Sequence, residues 1–77
     1  MKPPVQFRRW IGIDTFEVIA GEPADRIGFV RLDTDSGNWV ARWPGNEKMG
    51  PYIRRFPYRQ SAAAWLRLIN ERGNASE

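Results

Sequence analysis

Seventy-seven residues with a formal charge of +3 make one small domain. Without cysteine or histidine, the chain can form no disulfide, no zinc finger and no Ser-His-Asp triad. It has no apolar run of about 18 residues and no apolar stretch after Met1-Lys2-Pro3-Pro4, so neither a membrane span nor a signal peptide is expected, and the expected location is cytoplasmic.

Residues 1–6 read as an extended tail because Pro3-Pro4 starts a helix poorly. Residues 7–13 contain too short a pattern before Gly12 to assign. Thr15 to Ala20 is rich in β-branched and aromatic residues and predicts a strand. Residues 21–25 are a loop punctuated by Gly21 and Pro23. A second strand follows over Arg26 to Leu32, with Ile27, Phe29 and Arg31 on one face and Gly28, Val30 and Leu32 on the other. The turn cluster Asp33-Thr34-Asp35-Ser36-Gly37-Asn38 suits an antiparallel connection.

Trp39 to Trp43 alternates, with Trp39, Ala41 and Trp43 opposite Val40 and Arg42. Residues 44–51 form a loop between Pro44-Gly45 and Gly50-Pro51. Tyr52 to Phe56 is the last predicted strand. Over residues 59–72 the period changes: Ala62, Trp65, Leu66 and Ile69 recur at helical spacing, Pro57 precedes them and Gly73 follows. Residues 73–77 read as a tail.

This order predicts an α+β domain in which three or four antiparallel strands pack one apolar face against a single C-terminal helix. A core of Val30, Leu32, Trp39, Ala41, Ile53, Phe56, Ala62, Trp65, Leu66 and Ile69 is expected. Trp39 and Trp65 are assigned inside, Trp10 and Trp43 partly exposed. The opposite sheet face is expected to carry Arg31, Arg42, Tyr52 and Arg54.

Charge is uneven along the chain. Residues 1–36 hold five basic and six acidic side chains, whereas residues 37–77 hold seven basic and three acidic. Ten of the twelve basic residues are arginine, whose planar fork matches phosphate and guanine and is also favoured at protein interfaces. A basic second half fits an anionic partner; a merely solvated surface fits the same composition.

The pieces Gly37-Asn38-Trp39-Val40-Ala41-Arg42, Tyr52-Ile53-Arg54-Arg55-Phe56 and Ser61-Ala62-Ala63-Ala64-Trp65-Leu66 resemble the three-stranded-sheet-plus-helix DNA-binding domains. These are the plant AP2/ERF domain and the arm-type-binding domain of phage integrases. The resemblance covers residues 28–68. It implies that the exposed sheet face enters the DNA major groove, with Arg42 on the central strand and Tyr52 and Arg54 on the last strand as contacts, and Arg31 as a weaker match. Lys48 in the loop and Arg59 at the helix start would add phosphate contacts. Residues 1–26 have no counterpart in the resemblance, and Asp33 and Asp35 place negative charge beside the proposed face. With no recombinase catalytic domain after the helix, the resemblance implies a stand-alone binder of a phage or other mobile element.

Catalytic patterns are weak. Lys2 and Lys48 stand in tail and loop, unsuited to Ser-Lys chemistry. Glu17, Glu22 and Asp25 show no glycosidase-type pairing. Asp33 and Asp35 suit a turn with Asx hydrogen bonds far better than a cation loop. No enzyme and no cofactor are expected. Two functions remain open: double-stranded DNA binding by the sheet face, and a small protein-interaction module using its Trp- and Arg-rich surface. Arg8-Arg9-Trp10 reads either as a basic arm reaching a minor groove or as an exposed end. The oligomeric state stays open.

Overall fold

The computed structural model describes residues 5–12, 14–21 and 24–75. Five strands run in chain order: β1 (Gln6–Ile11), β2 (Thr15–Ala20), β3 (Asp25–Leu32), β4 (Trp39–Trp43) and β5 (Tyr52–Phe56). One helix, α1 (Arg59–Ala75), closes the chain. The strands form one antiparallel sheet in the order β1-β2-β3-β4-β5. The α+β class and the single C-terminal helix agree with the sequence; the sheet has five strands where three or four were expected. The added strand is β1. Its register shifts between Arg9 and Ile11, and such a bulge breaks the two-residue alternation by which a strand is recognised.

One face of the sheet carries the core. Val18, Val30, Ala41, Ala62, Ala63 and Leu66 are fully buried. The alanines let the helix approach β3 and β4, and Leu66 settles on Gly28, where a Cβ would come within 2.7 Å of Leu66 Cδ2 and 2.6 Å of the Arg42 carbonyl oxygen. A second bulge, between Val18 and Ile19, leaves Ile27 unpaired in the register and buried.

Trp43 is the buried tryptophan, only 2 % exposed, where partial exposure was expected. Its indole Nε1–H donates to Asn70 Oδ1 at 3.2 Å, so the ring is desolvated without losing its polar bond. Trp39 and Trp65 are half-buried against the core, in ring contact with Phe16 and Phe56.

The helix runs past its expected end at residue 72. Gly73 lies inside it because its missing Cβ makes room for the Trp43 ring, 2.9 Å from where that atom would stand. The Asn46 side-chain amide donates to the Gly73 carbonyl at 3.2 Å and ties this turn to the β4–β5 loop. Tails were expected at residues 1–6 and 73–77; Gln6 instead opens β1 and residues 73–75 belong to α1, while residues 1–4 and 76–77 lie outside the described residues. No helix among the described residues is long and apolar enough to cross a membrane.

The β5 register corrects the core. Trp39 pairs with Phe56, Ala41 with Arg54 and Trp43 with Tyr52. Phe56 therefore faces the helix and Ile53 faces away, 66 % exposed. Tyr-Ile-Arg-Arg-Phe offers one apolar residue to each face. The larger aromatic contacts decide: Phe56 meets Trp65 at 5.7 Å and Tyr52 stacks on Trp43 at 6.0 Å.

Candidate nucleic-acid interface

The helix leaves the other sheet face open. Two rows of cross-strand neighbours build it. The first is Arg8, Glu17, Phe29, Arg42 and Ile53 across β1 to β5; the second is Thr15, Arg31, Val40 and Arg55 across β2 to β5. Arg31 on β3, the middle strand, and Arg42 on β4 beside it are thus diagonal neighbours; Arg42, expected on the central strand, lies one strand from it because β1 widens the sheet. Both are exposed, and neither forms an ion pair among the described residues.

Around them lies an open groove of about 440 Å³, lined by Trp10, Thr15, Phe29, Arg31, Val40, Arg42 and Ile53. Trp10 is the residue left without a partner in the β1 register. The bulge re-aims its side chain, and the ring reaches across β2 to meet Phe29 edge-on, with centroids 5.5 Å apart. The Arg26 guanidinium lies 5.4 Å from the Trp10 centroid and 5.0 Å from that of Phe29. Trp10 remains 48 % exposed. Trp10 on β1 and Ile53 on β5 are therefore two raised apolar walls, and the arginines lie between them.

Two acids near this face, Glu17 and Asp33, are engaged by arginines. Glu17 is only 3 % exposed because Arg8 and Arg26 close over it. Arg8 Nε donates to Glu17 Oε2 at 2.7 Å and Arg26 Nη1 to Oε1 at 3.3 Å. The Arg8 hydrogen bond holds the Glu17 carboxyl below its ordinary range, against an opposing push from desolvation. Asp33 accepts from Ser36 Oγ, Arg55 Nη1 and the Asp35 backbone N–H, and these bonds lower its carboxyl as well. Asp33 is thereby the organiser of the β3–β4 turn, in the Asx geometry that the turn sequence favours.

Of the six residues singled out from sequence, Arg31 and Arg42 meet on the open face. Tyr52 and Arg54 do not. They lie on the helix side, Tyr52 on Trp43 and Arg54 over Phe56 at 5.4 Å, because the β5 register is one residue from the expected one. Arg59 is also on the helix side, half-buried, with its guanidinium 4.1 Å from the Phe7 centroid, 5.2 Å from Phe16 and 5.8 Å from Trp39. This cradle fastens the helix start to the sheet. Lys48 is exposed in the β4–β5 loop, where its backbone N–H donates to Asn46 Oδ1.

Sequence reasoning missed Phe29, Val40 and Ile53 as groove residues, and Glu17 with Arg8 and Arg26 as a cluster. The available signal was spacing. In a tight antiparallel meander, residues nine apart on either side of Glu17 become cross-strand or diagonal neighbours.

No family model, no curated protein and no solved structure matches this chain.

Proposed function

We propose that the protein binds nucleic acid through the open face of its sheet. The observation that carries this reading is the pairing of Arg31 and Arg42, both exposed and without an ion pair among the described residues, with an aromatic-walled groove. A tryptophan ringed by arginines on one sheet face favours an anionic, base-bearing partner. A tryptophan on an uncharged patch would instead favour a protein. The neutralised state of Glu17 and Asp33 also supports the reading, since neither is left as a bare charge against phosphate.

In this account Arg31 and Arg42 contact phosphates or base edges, and Arg26 is held against Trp10 and Phe29 as part of the wall. Lys48 is available to a flanking phosphate from its loop. The protein acts as a binding module rather than an enzyme, without a cofactor. Neutralising phosphates releases counterions, so affinity falls steeply with salt. Titration of a labelled oligonucleotide at low and moderate salt tests this. Binding at low salt that weakens as salt rises is expected; no binding to any single strand or duplex at low salt contradicts it.

A protein-binding reading has its own support on the other side of the molecule. Met49, Tyr52, Trp65, Leu68, Ile69 and Arg72 line a second groove between β5 and α1, where Leu68 and Tyr52 are exposed. A partner retained by the native protein after nuclease treatment, and lost on Leu68→Glu, would favour it.

A further inference from the structure

We propose that the open face takes an unpaired nucleobase between its apolar walls, so that the protein prefers single-stranded nucleic acid to duplex. This rests on the reading of the open face as a nucleic-acid interface and names the form of nucleic acid it selects.

Width is the first argument. Strands lie roughly 4.8 Å apart, so the four spacings of this five-stranded sheet span about 19 Å. The major groove of B-form DNA is about 12 Å wide and admits a helix or a narrow β-ribbon. A three-stranded face, at about 10 Å by the same spacing, fits such a groove; β1 and β2 broaden this face beyond it.

Surface chemistry is the second argument. The groove is apolar at both ends and cationic between them. Trp10 stands at the β1 end, Ile53 at the β5 end, and Phe29 and Val40 lie between them with Arg31 and Arg42. A duplex buries its ring faces in its own stack and offers nothing to these walls. A single strand offers both a π-face for Trp10 and phosphates for the arginines. The groove, about 440 Å³, lies within the range of about 300–1,000 Å³ usual for small-molecule sites. The β1 bulge, which stands Trp10 up and leans it toward Phe29, gives the wall a fixed position before any ligand arrives.

The test is fluorescence anisotropy on labelled ten-nucleotide probes at low salt. The probes are a mixed-sequence single-stranded DNA, the same sequence as RNA, the DNA as a duplex, and an abasic strand that keeps the phosphates but lacks the bases. Expected is binding of at least one single strand on the order of tenfold or more tighter than of duplex and abasic strand, in line with the worth of base stacking on an aromatic ring. The tighter of the DNA and RNA arms then identifies the sugar. Trp10→Ala is expected to remove the preference, and Trp10→Phe to keep most of it, with unchanged circular dichroism in both. Duplex or abasic strand bound as tightly as both single strands would overturn the proposal while leaving nucleic-acid binding intact. No binding to any of the four would overturn both. The wild-type comparison with the abasic strand decides the matter even if a Trp10 variant fails to fold.

Discussion

Leu66 occupies the space above Gly28, and the two cannot both keep their places if Gly28 gains a side chain. A Cβ there would stand 2.7 Å from Leu66 Cδ2 and 2.6 Å from the backbone oxygen of Arg42. Gly28→Ala should therefore destabilise the protein by about 1–3 kcal/mol, the usual cost of overpacking. The sign is diagnostic, because glycine to alanine in an unstrained strand ordinarily stabilises by roughly 0.4–1 kcal/mol. A urea melt of the two proteins measures it. A more stable Gly28→Ala variant would contradict the close approach of α1 to β3.

Trp43 and Trp39 lie four residues apart on the same face of β4 but differ in burial. Trp43 is 2 % exposed and hydrogen-bonded to Asn70, whereas Trp39 is half-buried. Trp43→Ala should cost roughly 3–5 kcal/mol, the range for a buried aromatic truncated to alanine. Trp39→Ala should cost measurably less. Thermal melts of both variants compare them; equal losses would mean that the core does not extend under Trp43 as described.

Glu17 ties stability to acid pH. Its folded carboxyl lies below the ordinary value of 4.5, chiefly because Arg8 donates to it. A depressed carboxylate contributes stability that is present above the unfolded value and lost as pH falls through the folded one. Glu17→Gln should therefore lower the melting temperature at neutral pH. Its difference from the wild type should hold down to about pH 4.5 and shrink below it. Melting temperature against pH for both proteins reads this. A difference constant through the acid range would remove the ion-pair cluster from the account.

Some of this was legible in the residues and some was not, for reasons that differ by element. Arg42 is exposed opposite Ala41 and Trp43 as the alternation of β4 requires, because that strand has bulky rings on one side and a charge on the other. Helix α1 followed from Ala62, Leu66 and Ile69, but not its last turn, since the tolerance of Gly73 comes from the distant Trp43 ring. Tyr52 to Phe56 carries apolar residues on both faces, so only contacts with Trp43 and Trp65 fix which way Arg54 points. Trp10 could be anticipated as exposed but not as a groove wall, because its orientation arises from a bulge. Glu17 shows no catalytic pairing in the sequence and nothing there marks it as buried; its burial is made by Arg8 and Arg26, which only the fold brings to it.

Arg42 and Arg54 supply the direct comparison for the binding face. They are one strand apart and both exposed, but Arg42 points to the open face and Arg54 to the helix side. Each alanine variant removes one positive charge, so a binding loss that depends on net charge alone affects both equally. The decisive measurement is the affinity of each variant for the same single-stranded oligonucleotide, taken across a salt series. Arg42→Ala should weaken binding by on the order of 1–3 kcal/mol if it contacts a base edge. If it contacts phosphate, it should instead flatten the salt slope by about one unit. Arg54→Ala should leave affinity near the wild-type value. Equal losses in the two variants, or a larger loss for Arg54→Ala, would contradict the assignment of the open face as the interface.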